Sequence, residues 1–152
     1  YLKLQNQRYE NRISCSIAQD QESRFVRVPK MILQPLIENA IKYSHLKTGG
    51  TCCLEVKLFV RDEFLHIQVS DDGQGISEAK KAEIAGLYKV NEMNVMEGHG
   101  IGFLNVLFRL RIFYGDSFHW EIRDNDPGCR IYLTMPREMQ SRGAEDEGIS
   151  GR

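Results

Sequence analysis

The sequence predicts an α+β fold of two layers: a mixed, mainly antiparallel sheet covered on one face by helices. Two hairpin patterns and two helical apolar periods carry that prediction. Leu54 to Val60 and Phe64 to Val69 alternate around Arg61-Asp62-Glu63, and His119 to Arg123 and Arg130 to Met135 are joined through Asn125-Asp126-Pro127-Gly128, whose residues favour a turn. Apolar residues recur at helical spacing before Ser44 and after Gly102. At 152 residues the chain suits one domain around a single core.

Taken in order, Tyr1 to Arg8 reads as the end of a helix arriving from upstream, and Ile13 to Ile17 as a first strand. We place a domain at 9–136 and a disordered tail, rich in Glu, Gly, Ser and Arg, at 137–152. A helix is expected from Pro29 or Lys30 to Ser44, with Met31, Ile32, Leu36, Ile37, Ala40 and Ile41 as apolar contacts. Ser77 to Ile84 reads as a short helix. The stretch from Leu87 to Glu97 has no clean period, so 77–97 is assigned as a lid over a site, with Leu87, Tyr88, Val90, Met93 and Met96 as its apolar residues. The last helix places Ile101, Leu104, Leu107, Phe108 and Ile112 on one face.

Composition narrows the function. A hydrophobic content of 41% fits a globular body, and a formal net charge of −1 argues against strong non-specific attraction to nucleic acid. No run of about 18 apolar residues and no leader pattern is present, so neither a membrane span nor direct membrane contact is expected. Cys15, Cys52, Cys53 and Cys129 lack paired metal-ligand spacing, and adjacent Cys52 and Cys53 do not readily bridge. Cys15 and Cys129 are read as reduced core residues of a cytoplasmic protein, with pairing left open.

Three short motifs carry chemistry. Gly98-His99-Gly100-Ile101-Gly102 opens the last helix, where unpaired backbone N–H groups and the positive helix end can meet a phosphate. A glycine turn capping an ordinary helix has the same sequence, and His99 fits a phosphate contact or a spacer. Asp71-Asp72-Gly73-Gln74-Gly75 follows a strand; an ionised Asp71 only accepts hydrogen bonds, which suits an exocyclic amine such as that of adenine, although an Asx turn explains the same residues. On the helix before Ser44, Asn39 offers a neutral oxygen to Mg²⁺, and Lys42 is a compact cation one turn away. Glu38 and Lys42 equally fit a solvated polar face.

Leu33-Gln34-Pro35-Leu36-Ile37-Glu38-Asn39-Ala40-Ile41-Lys42, the 71–75 loop and Gly98 to Leu110 together resemble the ATP-binding domain of bacterial sensor histidine kinases of the LytS/YesM type, over about residues 1–136. The resemblance implies the Bergerat ATP-binding fold, with ATP and Mg²⁺ as ligands. It implies that Asn39 holds Mg²⁺, flanked by Glu38 and Lys42 as the remaining catalytic positions, and that Asp71 contacts adenine over Gly73, Gly75 and Ile76. It further implies that Gly98, His99, Gly100, Ile101 and Gly102 lie beside the phosphates, with Asn105 and Arg109 on the helix that follows.

In the wider superfamily a glutamate one turn before the asparagine activates water. Here that position is Pro35, and Glu38 points about 100° around the helix from Asn39. Weak hydrolysis and retention of the γ-phosphoryl group for transfer are therefore expected. None of His45, His66, His99 and His119 has the setting of a phosphoacceptor, so the acceptor is expected on a dimerisation segment outside this chain, in a homodimeric parent serving a response regulator. An alternative of a different class is a nucleotide-dependent regulatory module or serine kinase, as in related anti-sigma factors.

Overall fold

The computed structural model of the chain describes residues 1–90 and 101–138. Among the described residues nine regular elements follow one another: α1 (Leu2–Arg8), β1 (Ile13–Gln19), α2 (Leu33–Lys42), β2 (Cys52–Arg61), β3 (Phe64–Asp71), α3 (Glu78–Val90), α4 (Ile101–Tyr114), β4 (His119–Asp124) and β5 (Cys129–Pro136). The strands form one sheet in the order β1-β2-β3-β5-β4. Only the β1–β2 pair is parallel, so the sheet is mixed and mainly antiparallel as expected.

Alternation along the strands decides which face the helices cover. Leu54, Val56, Leu65, Ile67, Val69, Ile131, Leu133 and Met135 are buried, whereas Glu55, Lys57, Gln68 and Tyr132 between them remain partly open. Register aligns Val56 with Val69 and Val69 with Ile131, so one apolar face runs across the three central strands. Against it lie Leu104, Leu107 and Leu110 of α4 and Leu36 of α2. A smaller cluster of Ile37, Ala40, Ile41, Leu46, Cys52 and Leu54 receives Leu2 and Tyr9 at the two ends of α1.

Three expectations need correction. The helix before Ser44 begins at Leu33, because Pro29 disfavours helical backbone just before it and Met31 adopts a left-handed φ of 63°. Met31 is consequently exposed rather than a core contact, and Ile112 of α4 is exposed as well. The aperiodic stretch after Ile84 continues as helix to Val90, with Leu87 and Tyr88 packed on the core. Tyr88 meets Phe108 at 5.8 Å and Trp120 at 5.3 Å between ring centroids. Burial contributes roughly 1.5–3 kcal/mol per large side chain, against a few tenths per residue for intrinsic preference, so packing extends α3 where the period does not.

The rest of the expected lid, including Met93 and Met96, lies outside the described residues. At the other end, Arg137 is tied to the domain: its N–H donates to the Glu63 carbonyl at 3.0 Å and its guanidinium pairs with Glu22 at 3.4 Å. Residues 139–152 of the expected tail are outside the described residues.

Candidate nucleotide-binding site

Helical spacing on α2 sets one wall of the site. Leu36, Asn39, Ala40 and Tyr43 recur at one, one and two turns, and all four line a cavity of about 360 Å³. A second part of the lining comes from the end of β3 and the loop after it, through Val69, Asp71, Gln74, Gly75 and Ile76. Phe103 and Leu104 of α4 and Ile84 and Leu87 of α3 close the apolar depth. A mostly apolar cavity of this size with a few polar groups is the usual form of a small-molecule site.

Asp71 is the last residue of β3 and only 9% exposed. Burial pushes its carboxyl above the ordinary 3.8, while amide hydrogen bonds from Gly73 and Cys129 pull the other way. Its Oδ1 accepts from the Gly73 N–H at 2.9 Å, so the Asx turn exists and coexists with a buried acid that faces the cavity. The loop beneath is fixed from α2: the Gln74 N–H donates to the Tyr43 carbonyl at 3.1 Å. A Cβ on Gly73 would stand 2.7 Å from that same carbonyl oxygen, so the approach of loop to helix requires glycine.

Of the site residues read from the sequence, the structure brings Asn39, Asp71, Gly75 and Ile76 around one cavity, with Gly73 packed below. Glu38 is exposed and accepts from Gln34 Nε2 at 2.8 Å, away from the cavity. Lys42 is also exposed; its Nζ lies 5.3 Å from the centre of the Tyr43 ring, beside the cavity and not in its lining. Gly102 starts α4 next to α2, where a Cβ would touch Pro35 Cβ at 3.4 Å, and Asn105 is exposed one turn further. Arg109 donates to the Lys30 carbonyl, tying the segment before α2 to α4. Gly98, His99, Gly100 and the side chain of Ile101 lie outside the described residues.

Sequence reasoning missed several residues. Tyr43 lines the cavity one turn beyond Asn39, a spacing that would have found it. Cys129 lines it too, brought beside Asp71 by the β3–β5 register that aligns Ser70 with Arg130. Asn125, read only as a turn residue, donates from Nδ2 to the Asp71 carbonyl at 2.9 Å. Gly128, with φ 102°, passes so close that a Cβ would stand 1.9 Å from that oxygen. Arg130 Nη2 donates to Asn125 Oδ1, and its Nε donates to Ser70 Oγ at 3.2 Å, so the far hairpin braces the strand end that carries the acid. Lys81 braces it from α3, with Nζ at 2.7 Å from both Glu78 and Asp124 and its ammonium pushed up to about 12 by those hydrogen bonds.

The site is thus a buried acid at a strand end and an asparagine on a helix lining one largely apolar cavity of an α/β sandwich. Residues 26–139 match the model of the histidine kinase-, DNA gyrase B-, and HSP90-like ATPases, and the chain belongs to that family. Among curated relatives it is 28% identical to the sensor protein LytS of Bacillus anthracis, over 91% of this chain and 23% of that protein. It is 28% identical to the sensor histidine kinase YesM of Bacillus subtilis, over 90% of this chain and 22% of that protein. With the sensor histidine kinase/phosphatase LytS of Staphylococcus aureus the identity is 30%, over 92% and 24%. The chain thus spans about a quarter of the length of these relatives.

Solved structures share the fold. The catalytic domain of histidine kinase ThkA, in a nucleotide-free form, superposes with a TM-score of 0.66 at 17% identity, covering 90% of this chain and 86% of that one. The mycobacterial sensor histidine kinase MprB superposes at 0.57 with 18% identity, covering 89% and 88%.

Proposed function

We propose that this chain is the ATP-binding catalytic domain of a two-component sensor histidine kinase. It transfers the γ-phosphoryl group of Mg-ATP to a histidine on a dimerisation segment of the parent protein. One observation carries the reading: Asp71, which is buried, and Asn39, from two different elements, line the same largely apolar cavity. The similarity to LytS and YesM sensors along nine tenths of the chain supports it.

In this reading Asp71 accepts a hydrogen bond from the exocyclic amine of adenine. The backbone brace at Gly73 and Gln74 fixes the height of the base, and Ile76 and Tyr43 flank it. Asn39, a neutral oxygen donor on the α2 wall, is the residue that holds Mg²⁺ together with phosphate oxygens and water. Mg²⁺ commonly takes one or two protein oxygens and the rest of its ligands from phosphate and water, which a single asparagine fits. When bound, such an ion would supply neutralisation of phosphate charge. Lys42, free at the surface beside Tyr43, adds a cation where the phosphates leave the cavity.

The α2 side chain nearest the start of α4 is Pro35, which has no basic atom to take a proton from water. Catalysis therefore rests on positioning and charge neutralisation, with the phosphoryl group passed to the acceptor imidazole and ADP leaving. The parent is a homodimer whose phosphohistidine serves a response regulator, and this domain works on its cytoplasmic side. The test has two stages: calorimetric binding of ATP with and without Mg²⁺, then transfer of labelled phosphate within the full-length parent. Loss of transfer in Asn39→Ala, with adenosine binding kept, supports the assignment. Undiminished transfer in that variant contradicts it.

A further inference from the structure

Arg12 stands between the incoming helix and the base end of the site. Its Nε donates to the carbonyl of Tyr9, just past α1, at 3.2 Å, and its Nη1 donates to the carbonyls of Leu46 at 3.2 Å and Gly50 at 3.1 Å. The last two belong to the loop that follows α2. In that loop the buried Ser44 hydroxyl donates to the Ile41 carbonyl at 2.7 Å and accepts from the Leu46 N–H at 3.4 Å. One residue earlier, the Tyr43 carbonyl accepts from the Gln74 N–H, and Gly73 beside it donates to Asp71. A continuous series of hydrogen bonds and peptide units thus leads from the guanidinium to the buried carboxylate.

The upstream side of this junction is equally fixed. Asn6 Oδ1 accepts from the Ile13 N–H at 2.8 Å, while Leu2 and Tyr9 pack on the cluster built by Ile37, Ile41 and Leu46. Between α1 and β1, Glu10 and Asn11 hold left-handed φ values of 53° and 60°. Side-chain-bearing residues keep that conformation only where their surroundings over-determine it. A planar fork that reaches three carbonyls is a task for arginine, because a lysine offers one point charge in place of fixed, separated donors.

We propose that Arg12 is a positioning residue for the adenine end of the site: it locks the 43–50 loop to the end of α1, so that the seating of the incoming helix sets the affinity for the base. This rests on the reading of the cavity as an ATP site. The effect is specific in chemistry, because the series ends under the base and not at the phosphates. Loss of Arg12 therefore weakens adenosine, ADP and ATP by one common factor, about fivefold, the lower end of the usual coupling between sites.

The experiment compares the whole chain with Arg12→Lys and Arg12→Ala. Calorimetry gives Kd for the three ligands, and hydrogen exchange on nucleotide-free protein follows the amides of Leu46, Gly73 and Gln74. The expected result is an equal loss for all three ligands in both variants, no rescue by lysine, and faster exchange at Gln74 as well as Leu46. Lys42→Ala provides the contrast, with a loss that grows with phosphate number. Should Arg12→Ala fail to fold, Arg12→Lys with an unchanged Tm decides the matter. A lysine variant that matches wild type, a loss that depends on phosphate number, or faster exchange confined to Leu46 would overturn the proposal. A wild type that binds none of the ligands contradicts the ATP-site reading, and Gln74 exchange still decides whether Arg12 fixes the loop.

Discussion

Asn125 donates from its side-chain amide to the backbone carbonyl of Asp71 at 2.9 Å, across 54 residues of sequence. The turn between β4 and β5 is therefore part of the wall that presents the acid, and its glycine is at least as constrained as Gly73. A Cβ on Gly128 would stand 1.9 Å from the same carbonyl oxygen, in a residue whose φ of 102° already excludes most side chains. Gly128→Ala is expected to destabilise the fold by about 3 kcal/mol or more, combining strain with overpacking. Asn125→Ala, which removes the hydrogen bond to Asp71 and the one accepted from Arg130, should cost about 1–2 kcal/mol. Urea unfolding of both variants checks the order.

Asp71 should set the acid limit of nucleotide binding. Its carboxyl is raised above 3.8, chiefly by burial, and the ionised form is the one that accepts from an amine. Affinity is thus lost as pH falls through the raised value, earlier than for an ordinary carboxylate. The sign for folding is opposite. A folded-state value above the unfolded one means the native protein binds the extra proton, so stability falls as pH rises through that window. Asp71→Asn should therefore remove the fall in stability that sets in as pH rises past 3.8 and leave Tm at neutral pH unchanged or higher, while Asn still accepts from Gly73. Thermal melts against pH measure both arms.

The four cysteines should separate by reactivity. Burial pushes the Cys52 thiol up to about 11 and the Cys129 thiol up to about 12, so at pH 8 the thiolate is about one part in a thousand or less at each. Cys53 is exposed on the other face of β2. Brief treatment with iodoacetamide at pH 8 should label Cys53 first and leave Cys129 unmodified, as read by peptide mass spectrometry. Rapid labelling of Cys129 would mean that the β3–β5 wall opens in solution.

Much of this was legible in the sequence, for physical reasons that also mark its limits. The strand before Asp71 shows because alternation is a local property, and the Asp-Asp-Gly that ends it leaves little choice about where the acid sits. Asn39 shows because its helix keeps a clean period. The bracing of Asp71 by Asn125, Gly128 and Arg130 did not show, since it depends on which strand pairs with β3, and β5, the second strand of a hairpin distant in sequence, takes that place between β3 and β4. The end of α3 was misread because Tyr88 is held by Phe108, Trp120 and the Arg111 guanidinium, contacts with no local signature. Glu38 and Lys42 matched motif positions, and what motif spacing did not reveal is their local setting: Glu38 is engaged by Gln34 and Lys42 sits beside Tyr43 at the edge of the cavity, outside its lining.

The most direct test of the central claim is calorimetric titration of ATP, with Mg²⁺ present, into the whole chain and into Asp71→Asn at neutral pH. Saturable one-site binding is expected for the wild type, and a loss of at least about tenfold, or about 1.4 kcal/mol, for the variant, with its Tm preserved. Equal affinity in the two proteins, both folded, would contradict the assignment of the buried carboxylate to the base.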